Sequence, residues 1–526
     1  MKMACMTGWM AGIVAALCCP ADVSGETAEK PWFVFNEDFG NYCVSCGYVK
    51  PEKKDLDMLP NVGVFPFGVE GLRAYIDAIA RGKVTHFAMC MNAQRPCFPS
   101  KTIEPVWSEL DSPDRDRSPI AVTEKALVDR GIDRYAVWIA RCRERGVSPW
   151  LSVRMNDMHG GDDPRSPLIS TFWREHPEYR RLPDPTKLGR QSFWKLFSLD
   201  YSHVEVRERM LAFLGECMDR YDADGLDLDF TRFVWYLTPG REREQAPLLT
   251  DFMRKVRALV SSAAARRGHP ILLSVRTVSS PDVVEACGLD LPTWAKEGLV
   301  DVVSVCNHFQ TADYEIPVDT WRNRLGPRVR LLTGIDYGLR VNGIRSFLTR
   351  EEYLGWADVM RSRGVGDFYF YNLYGYDYAS DIWHRSLTNG FDAAAVAGAP
   401  RAYPLSYRDQ GHPDVRESYV SPWPVRLERP FACSLPVGSV PSGCKAELVL
   451  GFKSRPAELP APRVNGHLAG NVRGFRREHV PHAIAFALNA ADVRAGENRV
   501  EVPALPGVEI VYIALRIDPT AGAVEK

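Results

Sequence analysis

The sequence ADGLDLDF at residues 223–230 carries the pattern that decides the fold. Large apolar residues alternate in it with small or acidic ones, and successive side chains of a β-strand point to opposite faces. The apolar residues therefore share one face, while Asp227 and Asp229 share the other with Gly225. Burying two carboxylates costs free energy unless they form ion pairs or take part in a functional site. The segment is predicted to be a central strand that turns its acidic face toward a functional site. The alternative is an ion-paired core, in which Arg154 or Arg276 would neutralise the carboxylates.

Seven further strand-length segments lie on either side of this one, and amphipathic helical stretches separate them. Strict alternation of strand and helix predicts parallel strands joined by crossover helices. Eight such units within residues 30–395 predict a (β/α)₈ TIM barrel, an α/β fold. A doubly wound open sheet is the alternative, but no glycine-rich phosphate turn follows the first strand. The predicted strands are 32–36, 84–92, 148–156, 223–230, 271–277, 301–309, 330–338 and 367–375.

The sequence changes in character after about Ala399. Helical periodicity gives way to short alternating runs such as KAELVLGF and VEIVYIALRID, with a turn signal at Asn465-Gly466. This pattern predicts a C-terminal antiparallel β-sandwich domain over residues 400–526. The runs contain no aromatic cluster that would mark a sugar platform, so bracing the barrel is favoured over binding carbohydrate.

Net charge and the N-terminal segment limit the possible partners and the location of the protein. The chain has 526 residues and a formal net charge of -1 at pH 7, which indicates no nucleic-acid partner and no anionic-membrane partner. Residues 1–25 are predicted to be an export signal, because Lys2 precedes an apolar stretch from Trp9 to Cys19 that is too short to span a bilayer. A secreted or periplasmic protein without a membrane span is predicted.

Export permits disulfides, so the cysteines were considered as pairs. Cys433 and Cys444 are predicted to form a local disulfide. Cys43 and Cys46 are predicted to be either a disulfide or two free thiols, because no second pair of ligands completes a zinc site.

Polar residues accumulate on the inner faces and at the carboxyl ends of the predicted strands, where barrel enzymes place their chemistry. A purely structural barrel would fill its interior with branched apolar residues. No cofactor and no metal site are predicted, because two neighbouring ligands such as Asp157 and His159 do not make a site. The predicted substrate-binding residues are Asn36, Asn92, Arg154, Asn156, Asp157, His159, Arg232, Arg276, His308, Asp336, Asn372 and Tyr374.

The motif DGLDLDFTRF resembles the fourth-strand motif of secreted bacterial glycosyl-hydrolase-like barrels, in which Asp-Gly is followed two residues later by Leu-Asp. The segments 149–159 and 288–303 resemble neighbouring motifs of the same barrels. The resemblance covers about residues 30–390, and it implies a TIM-barrel glycoside hydrolase. The motif is also similar to the DxxDxDxE motif of family-eighteen chitinases, except that Thr231 stands where that family has its catalytic Glu. Chitinase-type hydrolysis is therefore not expected.

Hydrolysis of a glycosidic bond usually needs two carboxyl groups. Asp229 is predicted to be the nucleophile or base, because it lies nearest the open end of its strand, and Asp227 is predicted to orient it or to hold a sugar hydroxyl. Glu285 is the first candidate for the acid, followed by Asp336 and Glu315. The predicted partner is a carbohydrate, and the arginines would also suit an acidic or sulfated one.

Two other functions remain open on the sequence. A metal-dependent hydrolase could use the same fold, although the first strand lacks the expected pair of histidines. A non-catalytic carbohydrate-binding barrel could keep the Asn, Arg and aromatic residues without an acid. Metal content and activity on polysaccharides would separate these alternatives.

Overall fold

Eight parallel strands form a closed barrel in the computed structural model, which describes residues 30–49, 64–116, 118–163, 165–182, 197–307, 311–342, 344–372, 391–407 and 422–519. The predicted export signal at residues 1–25 lies outside these residues, as do His308 and Tyr374. Around the barrel the strands follow the order β1-β10-β7-β6-β5-β4-β3-β2, and a hairpin of two short strands, β8 and β9, is inserted after β7. The prediction of a TIM barrel is confirmed. The strands are β1 Phe33–Glu37, β2 His86–Cys90, β3 Ser148–Arg154, β4 Gly225–Asp229, β5 Leu272–Val278, β6 Val302–Cys306, β7 Arg330–Asp336, β8 Gly338–Val341, β9 Ile344–Phe347 and β10 Phe368–Tyr371.

Helices connect these strands, and their ends carry recognisable caps. Thr349 and Glu352 form a reciprocal capping box at the start of α11, and Gly268 ends the longest helix, α7, in a left-handed conformation with φ of 77°. The helices are α1 Asn41–Ser45, α2 Val69–Ala80, α3 Pro119–Asp129, α4 Arg134–Glu144, α5 Thr171–Glu175, α6 Val204–Arg220, α7 Glu242–Arg267, α8 Pro281–Ala286, α9 Leu291–Lys296, α10 Val318–Leu325, α11 Arg350–Ser362 and α12 Ala393–Ala397. Short 3₁₀ helices span Pro177–Tyr179 and Ala490–Asp492.

The barrel interior has a small apolar cluster of its own, separate from the larger core between strands and helices. Its largest member is Trp150, which packs against the backbone of Gly225. A Cβ atom at position 225 would lie 2.7 Å from the indole ring, so only glycine fits there. Tyr369 of β10 joins the cluster from the opposite wall, and Tyr371 lies nearer the open end, paired with Asp336 of β7. Trp150 thus fills the deeper part of the barrel, below the polar residues at its open end.

Two antiparallel sheets follow the barrel, which confirms the predicted C-terminal β-sandwich. One sheet has the order β11-β20-β14-β18-β17, with β12 beside β20, and the other has the order β13-β19-β15-β16. The turn between β15 and β16 is the predicted Asn465-Gly466, with φ of 51° and 88°. The strands are β11 Arg401–Pro404, β12 Val425–Arg426, β13 Phe431–Val437, β14 Lys445–Phe452, β15 Arg463–Val464, β16 His467–Leu468, β17 Gly470–Arg477, β18 Val480–Leu488, β19 Gly496–Val502 and β20 Glu509–Asp518.

Helix α11 joins the barrel to the sandwich. Gly355 of this helix touches the backbone of β11 so closely that a Cβ atom would lie 2.0 Å from the Ala402 oxygen. Glu352 of the same helix pairs with Arg477 of β17, and both side chains are buried. The close backbone approach and the buried ion pair together hold the two domains in one arrangement.

All ten cysteines within the described residues are free thiols. The predicted Cys433–Cys444 disulfide is therefore wrong, and Cys43 and Cys46 are two free thiols rather than a pair. Nine of the ten side chains are buried, and burial raises the pKa of the thiols, for example to about 11 at Cys46. In the described part of the chain, no helix is both long and apolar enough to span a membrane.

Candidate functional site

The register of β3, β4 and β5 arranges the inward side chains of these strands in rows across the barrel wall. Because paired residues of parallel strands lie side by side, each row contains one residue from each strand. The rows, from the closed end to the open end, are Trp150, Gly225 and Leu272; Ser152, Asp227 and Ser274; and Arg154, Asp229 and Arg276. The two acidic residues of the central strand therefore sit at different depths, one among hydroxyl groups and one between guanidinium groups.

Asp227 occupies the deeper row, where three hydroxyl groups donate hydrogen bonds to its carboxyl oxygens. The donors are Ser152 at 3.0 Å, Ser274 at 2.7 Å and Tyr369 at 2.7 Å. Tyr369 comes from β10, on the opposite side of the barrel, so the contact crosses the interior. Burial raises the pKa of Asp227 above its ordinary value, although Arg276 and the hydroxyl donors partly offset this effect.

Asp229 occupies the row at the open end and forms a buried ion pair with Arg276. Its other oxygen accepts hydrogen bonds from the Thr231 hydroxyl and, at 2.9 Å, from the Thr231 backbone N–H. Burial acts to raise the pKa of this carboxyl, but Arg276, Arg232 and the Thr231 donors outweigh it, so the pKa lies below the ordinary value. Neighbouring carboxyl groups on one strand thus have their pKa values moved in opposite directions.

Arg154 links the site to the loops that follow β1 and β3. It donates to Asp157 at 2.8 Å and pairs with Asp38, and all three side chains are largely buried. The backbone N–H of His159 donates to Asp157 at 2.7 Å, and the His159 Nδ1 atom lies 2.9 Å from the same carboxyl oxygen. Burial acts to raise the pKa of Asp157, but His159 and Arg154 lower it overall.

Arg232, Asn372 and Asp336 form a hydrogen-bonded chain across the open end. Arg232 follows β4 and donates to the Asn372 side-chain oxygen. The Asn372 amide then donates to Asp336, which ends β7, at 2.6 Å. Asn372 follows β10 with a left-handed backbone, φ of 56°, and this turn brings its side chain into the mouth.

Several donors beside Asp229 have no hydrogen-bond partner among the described protein groups. They are buried, and they are the Nε and Nη1 atoms of Arg276, the Nε atom of Arg232 and the hydroxyl of Ser304 on β6. Buried polar groups are usually satisfied, and each exception requires an explanation such as a ligand or a bound water. The mouth of the barrel therefore offers unfilled donors next to an ionised carboxylate.

Three of the predicted substrate-binding asparagines are used by the protein itself. Asn92 binds the backbone N–H and carbonyl of Arg154 at 3.0 Å each and so caps the end of β3. Asn156 donates to the carbonyls of Leu199 and Trp235 at 2.8 and 3.1 Å, and Asn36 donates to Ala88 at 3.4 Å. These amides bind backbone groups that need partners. A contact of these residues with substrate stays a prediction.

Glu285, the first candidate for the acid, does not join the cluster. It lies on α8 in the outer helical layer, its side chain is 61% exposed, and it pairs with Arg324 of α10 at 3.3 Å. The chain leaves the barrel at Val278 and turns outward into this helix, so sequence proximity to β5 did not bring the side chain to the mouth. Glu315 likewise lies apart, near Cys433 of the sandwich. The candidate that does reach the mouth is Asp336.

The sequence interpretation missed two residues of the site. Tyr369, which holds Asp227, could have been found from the alternation Phe-Tyr-Phe-Tyr in β10, because its tyrosines share the inner face. Asp38, which pairs with Arg154, follows β1 directly and carries no such signal. Among the residues that the structure describes, no group of three His, Cys, Asp or Glu side chains could hold a metal ion.

Comparison with known proteins gives distant structural similarities. No protein-family model and no curated protein matches the chain. It is similar to the PgaB (BpsB) glycoside hydrolase domain of Bordetella bronchiseptica, with 12% identity, 68% of this chain and 99% of that one covered, and a TM-score of 0.41. It is also similar to the maltogenic α-amylase AmyB of Thermotoga neapolitana (12% identity, 92% and 98% covered, TM-score 0.37) and to the chitinase ChiA74 of Bacillus thuringiensis (10%, 93% and 98%, TM-score 0.39).

Proposed function

We propose that the protein is a glycoside hydrolase that cuts a polysaccharide or oligosaccharide with two carboxyl groups at the barrel mouth. The observation that carries this proposal is Asp229, whose pKa is held low at the open end of a central strand, beside donors that have no partner among the described residues. A nucleophile or a base must be ionised at the working pH. Asp229 meets this requirement and takes that role.

The second carboxyl group is Asp336. It is linked through Asn372 to Arg232, which is close enough to Asp229 to lower its pKa. Of the carboxyl groups considered for the acid, Asp336 is the one at the open end of its barrel strand. It accepts hydrogen bonds from the Asn372 amide and the Gly338 backbone N–H. Asp336 therefore takes the role of the acid, in place of Glu285.

Asp227 takes a supporting role below this pair. It is fully buried under Asp229, and hydroxyl groups of three different strands fix its orientation. Burial raises its pKa above the ordinary value, in the direction opposite to that of Asp229. Asp227 thus supports Asp229 from below through its hydrogen bonds to the neighbouring strands.

The substrate is a carbohydrate, which would supply acceptor oxygens to the unfilled donors of Arg276 and Arg232. A neutral sugar would use its hydroxyl oxygens, and an acidic or sulfated sugar would place anionic oxygens there. We also propose export to the periplasm or the outside, on the basis of the N-terminal segment. The alternative of a non-catalytic sugar-binding barrel is favoured by one observation, that both oxygens of Asp229 already accept hydrogen bonds within the protein.

The test is hydrolysis of a panel of neutral, acidic and sulfated polysaccharides, followed as the release of reducing ends. Asp229→Asn keeps the shape but cannot act as a base or nucleophile, and we expect it to lower the rate by about 10²–10⁴-fold. Glu285→Gln is the matched control and should hydrolyse at the wild-type rate. Near-normal turnover by Asp229→Asn would remove this residue from the mechanism. Binding of a polysaccharide by the wild type without hydrolysis would favour the sugar-binding alternative.

A further inference from the structure

A bridge of three side chains connects opposite walls of the barrel at its open end. Arg232 comes from the segment after β4 and Asn372 from the end of β10, and these strands lie four places apart in the ring of eight. Asp336, at the end of the strand next to β10, completes the bridge. A side chain that reaches across the mouth passes the region where a substrate would meet Asp229.

The orientation of the Asn372 amide sets which residue of the bridge donates a hydrogen bond and which accepts one. Arginine can only donate hydrogen bonds, so the Asn372 oxygen must face Arg232 and its NH₂ group must face Asp336. The left-handed backbone at position 372 suits asparagine, which tolerates positive φ better than most residues. An aspartate here would keep the contact to Arg232 but would place a second carboxylate against Asp336.

The other oxygen of Asp336 is held as well. It accepts the Gly338 backbone N–H at 2.8 Å, at the start of the β8–β9 hairpin. Asp336 is therefore fixed from the hairpin on one side and from the bridge on the other. Removing the bridge takes away the Asn372 contact to the Oδ2 atom of Asp336 and leaves the Gly338 contact to Oδ1.

We propose that Asn372 and Arg232 are positioning residues, which hold the Asp336 carboxyl group in a fixed orientation at the mouth of the barrel. This inference rests on the proposed function for its catalytic meaning, whereas the bridge itself can be tested without it. Misplacing a catalytic group by a small distance can cost about 10²-fold in rate. Loss of the bridge should thus reduce kcat and leave KM little changed, because the sugar contacts remain.

Other charged and titratable groups face the bridge, and a variant must leave them unchanged. They are Asp229 on β4, Arg276 on β5, Cys306 on β6 and Tyr371 on β10. A swap within the bridge meets this condition. In the double variant Asp336→Asn with Asn372→Asp, the new carboxylate at 372 accepts from Arg232, and the new amide at 336 donates to it and still accepts from Gly338.

The experiment compares Asn372→Asp, the double variant and a control, Asn465→Asp. Asn465 is also left-handed and also uses both ends of its amide, but it lies in the sandwich. We expect Asn372→Asp to lower Tm and to reduce kcat by about 10²-fold at little-changed KM. The double variant should regain most of the lost Tm but stay inactive, because its carboxyl group is displaced. Asn465→Asp should lose stability and keep its kcat per folded molecule.

Two results would overturn the inference. One is a double variant no more stable than Asn372→Asp, which would mean that the bridge contributes nothing. The other is Asn372→Asp with unchanged kcat, which would mean that the bridge does not position Asp336. A wild type that hydrolyses no substrate contradicts the proposed function instead, and the recovery of Tm in the double variant still tests the bridge in that case.

Discussion

Two of the buried ion pairs in the described part of the chain differ in how completely their arginines are hydrogen-bonded. At the junction of barrel and sandwich, Arg477 donates to both oxygens of Glu352, to the Ser346 hydroxyl and to the Phe347 carbonyl at 2.7–3.1 Å. At the barrel mouth, Arg276 pairs with Asp229, and its Nε and Nη1 atoms have no hydrogen-bond partner within the described ranges. We call the first pair saturated, because every guanidinium nitrogen of Arg477 has a hydrogen-bond partner. The second pair is unsaturated in this sense.

We propose that this difference separates a structural ion pair from one that is prepared for a ligand. Burying charges costs several kcal/mol per ion, and only good geometry with additional hydrogen bonds offsets that cost. The junction meets the requirement within the protein. The mouth keeps part of its hydrogen-bonding capacity unfilled, and a substrate can supply the missing acceptors. Burial alone does not distinguish the two sites, since all four charged side chains are nearly inaccessible.

The largest expected effect on stability is at the saturated pair. Arg477→Met should lower the free energy of unfolding by about 3–5 kcal/mol, because it leaves Glu352 charged, buried and without its cation. Urea unfolding measures this change, and the rate of hydrolysis per folded molecule should stay at the wild-type value. Arg476→Met, at the exposed neighbouring position, is the control and should change stability by less than about 0.5 kcal/mol. An Arg477→Met protein as stable as the wild type would show that saturation does not make this pair structural.

A smaller effect is expected at the unsaturated pair. Arg276→Met should cost about 1–3 kcal/mol, because Thr231 still binds Asp229 and Arg232 still lowers its pKa. The substitution also removes two donors that had no partner. Hydrolysis should fall even though the protein stays folded, as circular dichroism and urea unfolding would show. A loss of stability equal to that of Arg477→Met would contradict the distinction between the two sites.

The smallest effect on stability is expected at Asp227, in the row below Asp229, and this effect depends on pH. Burial raises the pKa of Asp227 in the folded protein above its unfolded value, so the folded state binds the proton more tightly. Stability from this group is fully present below the unfolded pKa, about 4, and is lost as the pH rises through the folded pKa. Asp227→Asn does not titrate.

The Tm of Asp227→Asn relative to the wild type should therefore rise as the pH increases above about 4, with a net change at neutral pH of about 1 kcal/mol or less. Differential scanning calorimetry across the pH range measures it. Asp229→Asn provides the contrast, because a lowered pKa gives the opposite dependence: its carboxylate stabilises the fold above the unfolded pKa and stops doing so as the pH falls. A Tm difference for Asp227→Asn that falls with pH would exclude the raised pKa.

The barrel and the inward face of β4, with Asp227 and Asp229, were predictable from sequence because their signal is local. A strand repeats every two residues, so the side chains on one face can be read from spacing alone. The same spacing in β5 assigns Arg276 to the interior, where the structure pairs it with Asp229. The Asn465-Gly466 turn was predictable for a similar reason, since its left-handed backbone favours those residue types.

Residues after a strand were not predictable in this way. Glu285 follows β5 by only a few residues, yet the chain turns outward and the side chain meets Arg324. Asn92 and Asn156 stand at strand ends like Arg154, but nearby backbone groups take up their amides. The direction of a loop depends on segments that are distant in sequence. The same is true of which nearby backbone groups still require a hydrogen-bond partner.

The sequence by itself determined the alternation of strands and helices, the change to a β-sandwich and the inward face of β4, because each depends on periodicity and composition within a few residues. Only the tertiary structure decided which carboxyl groups meet. It set Asp227 among hydroxyl groups and Asp229 among guanidinium groups, and it joined Arg232, Asn372 and Asp336 across the mouth. Electrostatic energies depend on distance and burial, and closure of the barrel fixes both by bringing together residues such as Asp227 and Tyr369, which are 142 positions apart.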